Sequence, residues 1–194
     1  MVQRPMSLES GGIQMAANER LWAPWRLAYI AGGEPEVDRA DLEGGLLPGA
    51  DPECFLCQAV ADPCDRSRHV VHRAEHSLTL LNRYPYNNGH LLIAPRRHEG
   101  RLDQLSPEEQ LDWVQEISRM IALMEKVIHP EGFNVGLNLG RVAGAGLPGH
   151  VHWHLVPRWG GDTNFMPTVA AVKVIPQALE SLWEALAEEL GRTD

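Results

Sequence analysis

The sequence predicts an α+β fold in which a mainly antiparallel sheet packs against helices. Short apolar segments of strand length occur in two groups, and a long segment with helical periodicity separates them. A second helical segment lies near the end of the chain. Strands joined by short turns pair antiparallel, because a parallel pair needs a long crossover connection.

Five segments have the composition of strands. The first begins at Val70–Val71, and the others occupy 77–81, 91–94, 134–139 and 150–156. Segment 82–89, between the second and third strands, is rich in Asn, Pro and Gly and predicts a turn. A glycine-rich loop at 141–149 joins the last two strands.

Two segments have helical periodicity. In the first, Ser106 suits the cap, Pro107 suits the first helical position, and Glu109 completes a capping box. This helix ends before Pro130, and its predicted apolar stripe is Val114, Ile117, Ile121, Met124 and Ile128. The last helix begins near Pro176, and its predicted buried face is Leu179, Leu182, Trp183, Leu186 and Leu190.

The 194 residues suffice for one hydrophobic core, so we expect a single domain over 19–194, with an N-terminal extension and a C-terminal helix. Residues 1–18 are polar and predict a flexible tail. Segment 21–30 is dense in aromatic residues and is expected to dock on the domain, whereas 31–52 predicts a loop.

Composition and charge exclude several classes of function. The formal net charge of -9 argues against broad electrostatic binding of nucleic acid or of an anionic membrane. No apolar run approaches the roughly 20 residues that span a bilayer, and the first residues lack the apolar stretch of a secretory signal. We therefore expect a cytoplasmic protein.

Three histidines alternate with apolar residues in the last predicted strand, at His150, His152 and His154. Side chains alternate across a strand, so the imidazoles share one face. The outer two would lie roughly 13 Å apart on a straight strand, too far to bind one metal ion together. We therefore expect separate roles, with His152 as a nucleophile for phosphorus and His154 as a donor to phosphate oxygens. Backbone N–H groups of the glycine-rich loop are expected to hold developing charge.

Cys54 and Cys57 form a C-x-x-C pair, which by itself is compatible with zinc binding, redox chemistry or two buried thiols. No thioredoxin-like pattern surrounds the pair, so redox chemistry is the weaker interpretation. Cys64 has no partner at ligand spacing and is expected to be a plain free thiol. Four other histidines are expected to be surface or capping residues, namely His69, His72, His76 and His129.

The histidine pattern resembles the signature of the histidine-triad (HIT) family of nucleotide enzymes. Further segments resemble a zinc-containing bacterial branch of that family described as diadenosine-tetraphosphate phosphorylases. They are LWAPWR at 21–26, YPYNNGH at 84–90, FNVGLNLG at 133–140 and VPRWGGDTNFM at 156–166. The resemblance implies a five-stranded antiparallel sheet with helices, and a homodimer with one continuous sheet.

Carried over by position, the resemblance makes His152 the nucleophile that accepts a nucleoside monophosphoryl group. His154 and Asn138 would contact phosphate, Asn82 would bind the ribose hydroxyls, and His90 matches a fourth histidine of the catalytic site, near the nucleophile. The resemblance also implies a structural zinc ion, and its ligands would be Cys54, Cys57, His98 and His150.

One departure from the family concerns segment 146–149, where many relatives carry a Gln-Ser or Gln-Thr pair and this chain has Gly-Leu-Pro-Gly. Backbone N–H groups would then have to assist the leaving group. The histidine at 154 favours the hydrolase and phosphorylase side of the family over the uridylyltransferases, which have glutamine there. Cleavage by water or by phosphate, a nucleoside phosphoramidate as substrate, nucleotide binding without turnover, and a catalytic metal centre remain open alternatives.

Overall fold

The computed structural model describes residues 45–162 and 175–191. Its helices are α1 (Phe55–Ala61), α2 (Asp65–Arg68), α3 (Pro107–Val127) and α4 (Leu179–Glu189). Its strands are β1 (Val70–Arg73), β2 (Ser77–Leu81), β3 (Leu91–Pro95), β4 (Gly132–Leu137) and β5 (Trp153–Arg158), and short 3-10 turns cover Leu102–Gln104 and Arg141–Ala143. The five predicted strands and both predicted helices are therefore confirmed as elements. The predicted tail and the aromatic segment 21–30 lie outside the described residues.

The five strands form one antiparallel sheet in the order β1-β2-β3-β5-β4, which confirms the predicted α+β class. Strand β5 is inserted between β3 and β4, because Trp153 pairs with Ile93 on one side and with Leu137 on the other. The histidine segment therefore enters the sheet at an interior position, and β4 forms an edge.

Both faces of the sheet are covered near β2 and β3, whose residues are all buried. Helices α3 and α4 pack on one face against Leu91, Ile93 and Leu155. Helix α1, with Cys54 at its N-cap and Cys57 within it, packs on the other face against Leu80 and Leu92. Burial on both faces explains why β2 and β3 have continuous apolar sequences instead of alternating ones.

The predicted stripe of α3 is only partly correct, because Val114 is 57% exposed. The buried face is rotated towards Trp113, Met120 and Leu123. It also includes Glu116, whose carboxylate is 2% exposed and accepts hydrogen bonds from Thr79 and His72. The periodicity of apolar residues predicts that a charged residue such as Glu116 is exposed. Glu116 can be buried because donors on the sheet satisfy its carboxylate.

Strand β5 begins at Trp153, later than the predicted start at residue 150. The preceding backbone pairs elsewhere, since the N–H of Val151 donates to the carbonyl of Glu99 at 2.7 Å. Strand β4 starts at Gly132, two residues before the predicted start, because Gly132 already pairs with Arg158. Strand boundaries depend on which backbone groups find partners, and residue type alone does not specify them.

The last helix buries Leu182, Trp183 and Leu186 as predicted, and Leu179 and Leu190 are partly buried at its ends. None of the helices within 45–162 and 175–191 combines the length and the hydrophobicity that crossing a bilayer requires.

Helix α1 is held against the sheet by Arg73 of β1. Its guanidinium donates to the carbonyls of Ala59 and Val60 at the end of the helix, at 2.9 and 3.0 Å, and to that of Asp62. A cation that binds the last carbonyls of a helix satisfies acceptors without intrahelical partners. The position of the cysteine pair relative to β1 is thereby fixed.

The capping box of α3 gives a first prediction. The Ser106 hydroxyl accepts from the N–H of Glu109 at 3.3 Å, and the Glu109 carboxylate accepts from the N–H of Ser106 at 2.7 Å. We expect Ser106→Ala to lower the free energy of unfolding by about 1 kcal/mol in urea titrations. Ser118→Ala, at an exposed position within the same helix, is the control and should not destabilise the protein. Equal effects of the two substitutions would contradict the role of the cap.

Candidate active site and metal centre

A cavity of about 470 Å³ opens on the face of the sheet that α1 covers. Its wall includes Leu80, Leu92, Gly144, Gly146, His152 and His154. Asn82, Arg83, Tyr84 and Tyr86 contribute from the turn after β2, and Asp62, Cys64, Arg68 and His69 lie at the end next to α2. The cavity thus combines an apolar floor with convergent polar groups, as ligand sites commonly do.

His152 is 8% exposed and its ring lines the cavity. Its Nδ1 lies 2.8 Å from the carbonyl oxygen of His150, so Nδ1 carries the proton and donates it. The lone pair of the neutral ring is then on Nε2. Burial lowers the pKa of His152 below its ordinary value, although the hydrogen bond to the carbonyl opposes this shift. The ring is therefore neutral at neutral pH, as a nucleophile requires.

His154 lies beside His152, with ring centroids 5.0 Å apart in an edge-to-face arrangement. Its Nδ1 lies 3.0 Å from Nε2 of His90, and its Nε2 lies 3.2 Å from Nδ2 of Asn138. Tyr86 stacks on the ring at a centroid distance of 5.4 Å. His154 is thus held in one orientation by contacts on three sides.

His90 is 1% exposed and does not itself line the cavity, but it lies against His154, which does. The backbone N–H of Tyr86 donates to its Nδ1 at 3.0 Å, and Nδ2 of Asn82 lies 3.2 Å from the same atom. The Asn82 carbonyl oxygen accepts from the N–H of Tyr84 at 2.9 Å. The turn after β2 therefore organises the histidines as well as lining the cavity.

The glycine-rich loop satisfies several of its own N–H groups. Those of Ala143, Gly144 and Ala145 donate to carbonyls of Gly140 and Arg141. An N–H that already donates within the loop is less available to an anion. The prediction that the loop supplies donors therefore applies to fewer of its N–H groups. Gly146 lines the cavity, and its N–H has no hydrogen bond to any described residue.

Four residues form a potential metal site, namely Cys54, Cys57, His98 and His150, whose ligand atoms all lie within 4.8 Å of one another. The distances from Sγ to Nδ1 are 3.3 Å for Cys54 to His150, 3.2 Å for Cys57 to His98 and 3.6 Å for Cys57 to His150. Metal–ligand bonds of about 2.3 Å to sulfur and 2.05 Å to nitrogen give edges of about 3.6 Å in a zinc tetrahedron. The donor set and its spacing fit zinc.

The surroundings of His150 also fit a metal ligand. Its Nε2 lies 2.8 Å from the carbonyl oxygen of Pro95, so Nε2 carries the proton and Nδ1 faces the cysteines with its lone pair. Burial lowers the pKa of His150 to about 4 and raises the pKa of Cys54 to about 12. The imidazole is therefore neutral, and a divalent cation would supply the charge that a buried thiolate needs.

The metal site and the cavity are built from different residues, because none of the four potential ligands lines the cavity. The structure therefore separates His150 from His152 and His154, in accord with the expected separate roles. Among the other predicted residues, Asn82 lines the cavity directly, whereas Asn138 reaches it through His154.

Among the remaining histidines, the expectation of a surface or capping residue is wrong for His72, which is a partner of buried Glu116. His69 caps α2 as expected, in the left-handed conformation, and it also lines the cavity. Cys64 is an exposed thiol, as expected, but it lies at the cavity wall.

The roles of Glu99 and Pro95 were not predicted, because they act through backbone carbonyls that have no signature in the sequence. Tyr86 was not predicted either, and it acts through its backbone N–H on His90 and through its ring on His154.

Comparison with known proteins identifies the family. The model of the HIT domain matches residues 65–161, which is half of the chain. The chain is 40% identical over 174 residues to the AP-4-A phosphorylase of Mycobacterium tuberculosis, covering 90% of this chain and 85% of that protein. The chain belongs to the HIT family. The HIT-like fold expected from the resemblance is thereby confirmed.

Other HIT proteins are more distant. An adenosine 5'-monophosphoramidase of Schizosaccharomyces pombe is 28% identical over 141 residues, which cover 71% of this chain and 98% of that protein. The crystal structure of a zinc-bound histidine triad family protein from Mycobacterium smegmatis superposes with a TM-score of 0.57 at 23% identity. It covers 72% of this chain and 94% of its own, which supports the same fold.

The metal site gives a second prediction. Cys57→Ala removes one of the four donors, so we expect the zinc content of the purified protein to fall from about one ion per chain to near zero in elemental analysis. The melting temperature should fall too, because metal binding contributes free energy to folding. Cys64→Ala removes a thiol outside the cluster and should change neither quantity. A wild-type zinc content in Cys57→Ala would refute the ligand assignment.

Proposed function

We propose that this HIT protein cleaves dinucleoside polyphosphates such as diadenosine tetraphosphate, with His152 as the nucleophile. The observation that carries the proposal is the hydrogen bond from Nδ1 of His152 to the carbonyl of His150 at 2.8 Å. It fixes the tautomer whose lone pair is on Nε2, in a ring that lines a cavity of sufficient size for a nucleotide. The name of the relative from Mycobacterium tuberculosis supports this substrate class.

The reaction has two displacements at the same phosphorus atom. Nε2 of His152 forms a P–N bond to the phosphoryl group of a bound AMP unit, and the bond from phosphorus to the bridging oxygen breaks, so that ATP leaves. Inorganic phosphate or water then attacks the phosphoramidate and restores the neutral imidazole. Phosphate gives ADP, whereas water gives AMP.

Charge on the reacting phosphoryl group is held by donors around His152. We assign this role to the imidazole of His154, the carboxamide of Asn138 and the N–H of Gly146. The first two approach each other to 3.2 Å, so one phosphate oxygen can contact both. Donors that are fixed before the reaction stabilise developing charge without reorganisation.

The metal in this proposal is a structural zinc ion. All four donors come from the protein, and a closed four-ligand site has no position for substrate. The separation of the ligands from the cavity supports this role over a catalytic one. Zinc would tie the N-terminal end of α1 to the segments that follow β3 and precede β5.

We also propose that two copies of the chain form a homodimer through β4. This strand is an edge of the sheet, and its Val135 is 43% exposed. An edge strand with an exposed apolar side chain is suited to pairing with the same strand of another copy. Pairing of the two β4 strands would give the expected sheet that continues from one copy into the other.

The proposed reaction gives a third prediction. Incubation of the protein with diadenosine tetraphosphate should yield ADP and ATP when inorganic phosphate is supplied, and chromatography separates these products from AMP. His152→Ala should lower kcat by at least about a thousandfold, because the nucleophile is lost. His76→Ala, at a histidine outside the cavity, is the matched control and should retain activity.

Three outcomes of this assay contradict parts of the proposal. AMP formed at an equal rate with and without phosphate would indicate a hydrolase. Cleavage of adenosine 5'-phosphoramidate alone would favour the monophosphoramidase activity named for the Schizosaccharomyces pombe relative. Nucleotide binding without cleavage of either compound would indicate a binding protein.

The remote phosphates of the substrate give a fourth prediction. Arg83 is exposed at the cavity wall, and it forms no ion pair with a carboxylate of the described residues. We expect Arg83→Ala to raise KM for diadenosine tetraphosphate about threefold to tenfold with little change in kcat, because the guanidinium is available to the polyphosphate. Arg101→Ala, which removes an exposed arginine paired with Asp103, is the control. A KM that is equal in both variants would exclude Arg83 from the substrate site.

A further inference from the structure

Two donors converge on Nδ1 of His90. The N–H of Tyr86 is a backbone group and can only donate, and it lies 3.0 Å from this atom. The carboxamide of Asn82 presents its nitrogen to the same atom at 3.2 Å. A nitrogen that accepts hydrogen bonds cannot carry a proton, so the proton of the neutral His90 ring is on Nε2.

The orientation of the Asn82 carboxamide is itself determined by the backbone. Its oxygen accepts from the N–H of Tyr84 at 2.9 Å, and a half-turn of the amide would place two donors against each other. The nitrogen therefore faces His90. One N–H of Asn82 and one lone pair of its oxygen remain for other contacts, so this role is compatible with a contact to ribose.

His90 in turn contacts the ring of His154, whose Nδ1 lies 3.0 Å from Nε2 of His90. Because Nε2 of His90 carries the proton, it donates, and Nδ1 of His154 must accept. We propose that His90 is a positioning residue that acts through His154, fixing it as the tautomer that carries its proton on Nε2 and offers that proton to the substrate. Tyr86 and Asn82 set the tautomer of His90.

Backbone groups thus assign opposite tautomers to the two histidines that line the cavity. A carbonyl, that of His150, holds the proton of His152 on Nδ1 and leaves Nε2 as a nucleophile. An N–H, that of Tyr86, acts through His90 to place the proton of His154 on Nε2 as a donor. In the structure Nδ2 of Asn138 lies 3.2 Å from Nε2 of His154. With the proton on Nε2, a half-turn of this amide brings its oxygen to that nitrogen as the acceptor, until a phosphate oxygen replaces it.

This inference rests on the proposed function for its consequence in catalysis, whereas the tautomers themselves can be measured without substrate. Imidazole 15N chemical shifts separate the two neutral tautomers from the charged ring. In protein labelled at histidine we expect a proton on Nε2 of His90 and of His154, and on Nδ1 of His152. A proton on Nδ1 of His90 would overturn the inference, whether or not the protein is active.

Asn82→Asp tests the origin of the tautomer. The carboxylate still accepts from Tyr84, but its second oxygen faces Nδ1 of His90 and needs a donor there. Because this oxygen then competes with the N–H of Tyr86 at Nδ1, the 15N spectrum should show a fraction of His90 with a proton on Nδ1, in a neutral or a charged ring. An unchanged spectrum in a folded variant would show that Asn82 does not set the tautomer.

The catalytic consequence is tested with two leaving groups. Adenosine 5'-phosphoramidate releases an amine, which needs a proton, whereas the p-nitrophenyl ester of AMP releases a weakly basic phenolate. His90→Leu removes the donor to His154 and should lower kcat for the phosphoramidate at least about tenfold, with KM little changed. The ester should show a smaller loss, because its phenolate needs no proton and only the contact of His154 with the phosphoryl oxygens is weakened.

His90→Gln is the conservative variant, because its amide nitrogen can donate to His154 from about the position of Nε2. It should recover most of the activity on the phosphoramidate. Equal losses on both substrates in His90→Leu, or no recovery in His90→Gln, would indicate a packing role and contradict the inference. If wild-type protein cleaves neither compound, the proposed function fails, and the 15N spectra still decide the tautomers.

Discussion

The position of His150 is the constraint on which the rest of the site depends. Its Nδ1 faces Cys54 and Cys57, and its Nε2 donates to the carbonyl of Pro95. Its own carbonyl accepts from His152. One residue therefore connects the metal site, strand β3 and the nucleophile through three different groups. A displacement of His150 would therefore change both the tautomer and the orientation of His152. The metal site and the nucleophile are coupled in this way even though a metal would bind one ring and the substrate the other.

Burial determines the charge state of these histidines. It lowers the pKa of both His150 and His152, so each ring is neutral at neutral pH. A neutral ring has one donor and one acceptor, and a hydrogen bond at one nitrogen thus specifies what the other can do. The same burial gives His150 a lone pair for a metal and His152 a lone pair for phosphorus. The two rings differ in the nitrogen that donates and in its acceptor, which is the Pro95 carbonyl for Nε2 of His150 and the His150 carbonyl for Nδ1 of His152.

The elements of the fold followed from the sequence because their signals are local. The capping box at Ser106 and Glu109 and the apolar runs of β2 and β3 depend on neighbouring residues. The errors arose where a distant partner changed the outcome. Glu116 is buried because Thr79 and His72 reach it from the sheet, and this rotates the buried face of α3 away from Val114.

The sequence by itself predicted separate roles for the alternate histidines of the last strand segment, since their spacing on a straight strand excludes one shared ion. Its resemblance to a family supplied the set of donors that the structure brings within 4.8 Å of one another. Only the tertiary structure decided which nitrogen of each ring is free. That choice is made by the carbonyls of His150 and Pro95 and the N–H of Tyr86. Every residue except proline carries both groups, so residue identity cannot reveal which carbonyl or N–H the folded chain will place beside an imidazole.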